Sequence, residues 1–238
     1  MTALFVGVGV GPGDPELMTL KAWRMIQNAT VISYIANEAG HSQAKDIAAQ
    51  ALAENAHSPI EIPVCVPMTI DRSVINQRYD DAAKTIQAYL NAGENVLFIC
   101  EGDPLFFGSF AYLLGRLESN NPCQVIPGIS SVHAAASALQ LPLTMLKESF
   151  VVVSGRHNEQ QLVANLQAHD TVVIMKAGRS RQAILNALRL ADRTDDAHYL
   201  EYIGRDNQKI VRDVRQLGDD AGPYFSLFVV MRPQGDRT

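Results

Sequence analysis

Short apolar runs rich in β-branched residues alternate along this chain with longer stretches whose apolar positions recur at helical spacing. The runs read as buried strands and the stretches as helices packed upon them. Strands are expected over residues 4–9, 31–35, 60–64, 96–100 and 124–126, and again over 150–154, 171–175, 199–202, 209–213 and 225–231. A first helix is expected to start with Asp14 as its cap and Pro15 in its first position. Leu17, Leu20 and Arg24 would share one of its faces with Gln27, and Trp23 and Ile26 another, so it reads as buried on more than one side. Further helices are expected over 41–54, over 73–91, from near Gly108, and over 132–139, 159–168 and 180–191. In the long one Val74, Ile75, Ala82, Ile86 and Leu90 keep the helical period, and Gly93 supplies a usual end.

Regular strand–helix alternation in the first part predicts a doubly wound, mainly parallel α/β sheet. The last two strands have no long helix before them, so the second part reads as a mixed α+β sheet with antiparallel members. The fold class is therefore α/β with two domains and a ligand cleft expected between them. No Pro/Gly/Ser-rich linker marks the boundary; the division is placed at 121/122, giving domains 1–121 and 122–238.

Composition narrows the function. The chain has 238 residues and a net charge of −5, with no basic footprint for nucleic acid. No apolar run approaches the roughly 20 residues of a membrane span, and the N-terminus shows no targeting pattern. Cys65, Cys100 and Cys123 are odd in number and lack CxxC spacing, which suits packed thiols in a reduced cytoplasmic protein. The histidines are scattered with no HxxH or HExxH pair, so no metal site is expected. Charge is uneven: residues 1–146 hold 7 Lys+Arg against 13 Asp+Glu, and 147–238 hold 13 against 12. An anionic ligand would meet its cations mainly in the second part.

The stretch Gly7-Val8-Gly9-Val10-Gly11-Pro12-Gly13-Asp14-Pro15 carries the strongest chemical signal. Alternate glycines let another molecule press on the backbone, or let the chain turn where a Cβ forbids it. A dinucleotide site is disfavoured, because its G-x-G-x-x-G spacing is absent. Pro12 and Pro15 remove N–H donors that a phosphate would need, and Asp14 and Glu16 would repel it. Nor does a clear acidic residue close the second strand, where Asn37-Glu38 follows. Three further strand ends carry special sequence: Glu101-Gly102-Asp103-Pro104, Pro127-Gly128-Ile129-Ser130-Ser131 and Met175-Lys176-Ala177-Gly178-Arg179. Ligands of open parallel sheets bind beyond such carboxyl ends. Each segment has a plainer reading as well: Asp103 as a turn residue before Pro104, Ser130 as a helix cap, and Met175 as core.

With Gly11-Pro12-Gly13-Asp14-Pro15, Gly102-Asp103-Pro104 and Pro127-Gly128-Ile129-Ser130-Ser131 in this order, the chain resembles the tetrapyrrole (precorrin-type) S-adenosylmethionine-dependent methyltransferases over nearly its whole length. Val66-Pro67-Met68-Thr69-Ile70-Asp71, Phe107-Gly108-Ser109-Phe110, Lys176-Ala177-Gly178-Arg179 and Pro223-Tyr224-Phe225-Ser226 narrow the likeness to members that methylate precorrin-2 at C20. The resemblance implies a cytoplasmic homodimer that uses S-adenosyl-L-methionine on a tetrapyrrole in cobalamin biosynthesis. By position, Pro12 would close the cofactor cleft, and Glu101, Gly102 and Asp103 would line the methionine and ribose, with Phe106 packing nearby. Ser130 and Ser131 would bond the methionine end, Met175 would pack on adenine, and the backbone of 202–204, Gly204 included, would reach adenine's edge. Lys147, Arg156, Lys176, Arg179, Arg181, Arg205 and Lys209 are candidate partners for substrate carboxylates, and Phe106, Phe107 and Tyr112 candidate flat surface. Glu101 or Asp103 could accept the departing proton. Three alternatives stay open: another methylation site or acceptor within the family, a nucleotide-dependent oxidoreductase, and a non-catalytic binding module.

Overall fold

The computed structural model describes residues 2–67, 71–218 and 220–232; part of the Val66–Asp71 motif lies outside them. Two compact units divide the chain, Met1–Ser130 and Ser131–Thr238. The division falls after the expected 121/122 because the strand Cys123–Ile126 pairs with Phe5–Gly9 and so belongs to the first sheet.

The first unit is built on five parallel strands: β1 (Phe5–Gly9), β2 (Val31–Ala36), β3 (Ile60–Cys65), β4 (Val96–Cys100) and β5 (Cys123–Ile126), in the order β3-β2-β4-β1-β5. Its helices are α1 (Leu20–Gln27), α2 (Gln43–Ile47), α3 (Ala49–Ala53), α4 (Arg72–Asn91) and α5 (Phe110–Leu117). Val6, Val8, Val10, Ile32 and Ile99 pack under α1–α3, while Phe5, Val31, Val96 and Phe98 pack under α4 and α5. Strands apolar on both faces are what a sheet covered on both sides requires.

Two helices depart from expectation. Asp14 caps only a single 3₁₀ turn, Pro15–Leu17, accepting from the Glu16 N–H at 2.9 Å. The backbone then extends at the buried Met18, and Thr19 caps α1 by accepting from Ala22 N–H at 3.2 Å. α1 is also one-sided: Ala22 and Ile26 are buried, whereas Leu20 is 72% exposed. The stretch 41–54 breaks at Ala48 into two short helices, the first capped by Ser42. α4 begins one residue before the expected 73, with Asp71 as its cap, and ends as expected before Gly93, whose φ of +88° is the left-handed end that glycine favours.

The second unit comprises α6 (Ser131–Leu139), β6 (Phe150–Ser154), α7 (Glu159–Ala168), β7 (Thr171–Met175), α8 (Arg181–Leu190), β8 (Ala197–Glu201), β9 (Lys209–Val211) and β10 (Ser226–Met231). The sheet order is β6-β7-β10-β8-β9, with β6 parallel to β7 and every other pairing antiparallel, the mixed sheet expected. α7 and α8 cover one face through Leu162, Leu166, Ile184 and Leu188. Arg193 is buried beside this core: its guanidinium donates to the carbonyls of Leu166 (2.6 Å), His169 (3.0 Å) and Asp170 (2.8 Å), and pairs with Asp196.

His198 on β8 sets a pH dependence. Its ring is half-buried with Nδ1 at 3.0 Å from the Arg212 carbonyl, and burial holds its pKa below the ordinary value of 6.5. The unfolded chain therefore binds this proton more readily, so the stabilising effect is present above pH 6.5 and is lost as pH falls through the folded-state pKa. Urea midpoints of the parent should drop between mildly alkaline and mildly acidic buffer more than those of His198→Gln; parallel curves would refute the assignment.

Candidate active site

Along β1 and just beyond it, Val6, Val8 and Val10 pack into one helical layer, leaving Gly7 and Gly9 on the side of Phe5. A Cβ at Gly7 would lie 2.8 Å from the ring of Phe110, which stacks on Phe5 with centroids 5.0 Å apart. A Cβ at Gly9 would lie 2.6 Å from both the Gly102 carbonyl oxygen and the Gly128 nitrogen. The loops after β1, β4 and β5 thus meet backbone to backbone. Val10 N–H donates to Cys100 O at 2.9 Å, and Gly102 N–H to Gly11 O at 2.7 Å, the latter within an antiparallel bridge. Gly11 and Gly102 hold φ of +86° and +62°, which residues with a Cβ adopt only at a cost.

This meeting point lies where the strand order reverses. From β1 the chain passes β4 to reach β2, and from β4 it passes β1 to reach β5. In open parallel sheets the crevice at such a reversal, beyond the carboxyl ends, receives the ligand.

Asp103 ties two of the loops together. Its Oδ1 accepts from Leu105 N–H at 2.9 Å, an Asx turn in its own loop, and its Oδ2 accepts from Gly128 N–H at 3.1 Å. The turn reading of Asp103 is therefore right for one oxygen, while the other bridges to the β5 loop. Pro12 is buried next to the Gly11–Gly102 bridge, and Ser130 is buried with its Cα 3.8 Å from where a Gly102 Cβ would stand. Glu101 directly follows β4, and Phe106, half-buried, meets Phe107 edge to face at 5.3 Å. Pro12, Glu101, Gly102, Asp103, Phe106 and Ser130 are thus gathered at one end of the first sheet. Gly9 and Gly128 join them; neither was singled out as a site residue, although both stand in the quoted motifs. Cys100, at the end of β4, is fully buried, and burial pushes its thiol far above the ordinary range, so it is a packing group and not a nucleophile.

Losing the Asp103 carboxylate should cost stability. Asp103→Ala removes the acceptor of the part-buried Gly128 N–H and of the exposed Leu105 N–H, a loss of about 1 kcal/mol, whereas Asp103→Asn keeps one acceptor and should lose less. Thermal melts of the two variants check this, and equal melting temperatures would contradict the bridge.

Ser131, Met175 and Gly204 lie in the second unit, Ser131 as the first residue of α6. β6, β7 and β8 run in one direction, so the segments after Ser154, Met175 and Glu201 come to one end of that sheet, with the start of β10. Gly155 N–H donates to Met175 O at 2.7 Å, and Tyr202 N–H to Phe225 O at 2.9 Å. Lys176, Tyr202 and Gly204 hold φ of +57°, +50° and +77°, an uncommon concentration of left-handed backbone. Gly204 N–H donates to the Gln208 side chain at 2.8 Å, and the Arg205 guanidinium lies 4.2 Å over the Phe225 ring. One candidate cation is corrected here. Arg181 is buried, 3.9 Å from the Glu201 carboxylate and over the Tyr199 ring, so it is an internal ion-pair partner and not a surface ligand for substrate.

A family model described as tetrapyrrole (corrin/porphyrin) methylases matches residues 4–217, spanning the special loops of both units. The chain belongs to the tetrapyrrole methylases. This methylase is 36% identical over 235 residues to a precorrin-2 C(20)-methyltransferase of Sinorhizobium, covering 94% of each chain. It is 28% identical to a cobalt-precorrin-2 C(20)-methyltransferase of Salmonella typhimurium, covering 97% of each. Among solved structures, a uroporphyrin-III C-methyl transferase from Thermus thermophilus, complexed with S-adenyl homocysteine, superposes with a TM-score of 0.68 at 23% identity over 97% of both chains. That likeness establishes the shared fold. The methylase's first sheet end offers backbone groups, one bridging carboxylate and a buried hydroxyl, and its one buried thiol there stays protonated. These groups suit holding a polar ligand in a fixed pose better than forming a covalent bond to it.

Proposed function

We propose that this chain transfers a methyl group from S-adenosyl-L-methionine to C20 of precorrin-2, the reaction that yields precorrin-3A in cobalamin biosynthesis. The observation that carries the reading is the 36% identity to the Sinorhizobium enzyme over 94% of both chains. The first-unit site fits the donor's chemistry: Pro12 stands where a phosphate site would need an N–H, and the donor bears no phosphate. When bound, the donor supplies an electrophilic sulfonium methyl group. The proposed cofactor-binding residues are Pro12, Glu101, Gly102, Asp103, Phe106 and Ser130 in the first unit, with Ser131, Met175 and Gly204 in the second. Their part is to hold and align the donor, since proximity alone contributes several kcal/mol to such a transfer. The left-handed backbone at Tyr202, a residue with a Cβ, supports a recognition role for that turn, because strain of this kind gathers at ligand sites. We further propose a cytoplasmic homodimer, the dimer on the family resemblance and the compartment on three cysteines without CxxC spacing; sedimentation at micromolar concentration tests the dimer.

The experiment is anaerobic incubation with methyl-¹³C-labelled S-adenosylmethionine and precorrin-2, read by mass and carbon NMR. One new methyl group at C20 is the expected result. Transfer only to cobalt-precorrin-2 would favour the second reading, which the Salmonella relative supports. No transfer to either would overturn the proposal.

A further inference from the structure

A column of two stacked rings with a guanidinium at each end stands on the α4–α5 side of the first unit. The Arg72 guanidinium lies 5.4 Å over the Tyr112 ring. Tyr112 stacks on Tyr79 with centroids 5.0 Å apart and 28° between planes, and Arg116 lies 5.7 Å from the Tyr79 ring beyond. The two ends differ. Arg116 is engaged: its Nε donates to Asp80 at 2.7 Å and its Nη1 to the Tyr112 carbonyl at 2.8 Å, while Tyr79 is buried. Arg72 is exposed, and among the described residues no carboxylate pairs with it. The adjacent Asp71 carboxylate accepts from the N–H and hydroxyl of Ser73 at 2.9 and 2.6 Å, bonds that hold its pKa low.

The position of this free end is set by topology. Arg72 opens α4, beyond the carboxyl end of β3, and Tyr112 lies in the first turn of α5, beyond the carboxyl end of β4. All five strands are parallel, so both residues stand at the same end of the sheet as Asp103 and Gly128. An arginine resting on a ring has part of its rotamer freedom already removed, and its planar fork is built for two-point contact with a carboxylate. Tyr112 is 40% exposed, so the platform that carries Arg72 stands at the surface.

We propose that Arg72, carried on Tyr112, binds a side-chain carboxylate of the tetrapyrrole substrate. The proposal deepens the substrate reading above and rests on it. Its test separates binding from turnover: titration of precorrin-2, followed by absorbance in the presence of S-adenosylhomocysteine, for the parent, Arg72→Ala, Arg72→Lys and Tyr112→Leu. Arg72→Ala should weaken precorrin-2 about tenfold with the melting temperature and S-adenosylhomocysteine affinity of the parent. Arg72→Lys should fall between, because it keeps the charge without the fork, and Tyr112→Leu should weaken binding by removing the platform. Equal affinity of Arg72→Ala and the parent would overturn the proposal. Parent binding with the Arg72 effect but no methylation at C20 would leave the anchor standing and remove the reaction assigned above. No binding of precorrin-2 by the parent would remove both.

Discussion

Gly128→Ala is expected to abolish accumulation of the folded protein. The added Cβ would lie 2.1 Å from the Gly102 carbonyl oxygen and 2.9 Å from the Gly9 Cα, so it meets backbone on both sides. Neither neighbour can retreat cheaply. Gly9 closes the ladder of β1 against β4 opposite Cys100, and the Gly102 loop is bridged to Gly11. Overpacking that side chains can absorb costs about 1–3 kcal/mol; here the backbone of a central strand would have to move. A loss of about 5 kcal/mol would consume most of the margin of an ordinary domain. Gly93→Ala is the informative control: nothing lies within 4 Å of its Cβ, and only the φ of +88° opposes it. That variant should lose about 1 kcal/mol and remain soluble. Soluble yield and melting temperature decide the matter, and a Gly128→Ala protein melting within a few degrees of the parent would contradict the packing described.

Arg193→Met should be severely destabilising to the second unit. The guanidinium satisfies three carbonyls and the Asp196 carboxylate, and both charged side chains are nearly enclosed, at 8% and 13% exposure. Removing one partner of such a pair leaves an uncompensated buried charge, typically about 3–5 kcal/mol. Adding Asp196→Leu to Arg193→Met should recover part of the loss, because it removes the stranded carboxylate. Urea unfolding of the single and double variants measures both effects; a double variant no more stable than the single would show that the carbonyls, and not the charge, dominate.

The strands were the most legible part of this sequence. Each expected run appears in the structure with its ends shifted by no more than a residue or two, because β-branched runs bounded by glycine, proline or charge have few other readings. Helix starts were less legible where two caps competed. Asp14-Pro15 and Thr19 both carry start signals, and the burial of Met18 between them, a tertiary fact, gives α1 to Thr19. Nothing in 41–54 marks the break at Ala48. At the site, the sequence showed that a Cβ is excluded from Gly7 and Gly9 but not what excludes it. At these two positions the excluding matter is the protein's own Phe110, Gly102 and Gly128. Arg181 and Arg193 carried no sign of burial, because their partners, Glu201 for one and Leu166, His169 and Asp170 for the other, are brought near only by the sheet.

β1 sits between β4 and β5, pairing Phe5 with Val96 and with Cys123. Its neighbours in space thus leave the ribosome long after it does. A strand that is apolar on one face and bare glycine on part of the other must wait unpaired while β2, β3 and α4 are made. Closing such distant contacts is slow, and the waiting strand is exposed to wrong partners meanwhile. The glycines at Gly7 and Gly9 then have a second effect: they lower the strand-forming tendency of the segment until Phe110 of α5 and the Gly102 and Gly128 loops, which fill those gaps, have been made.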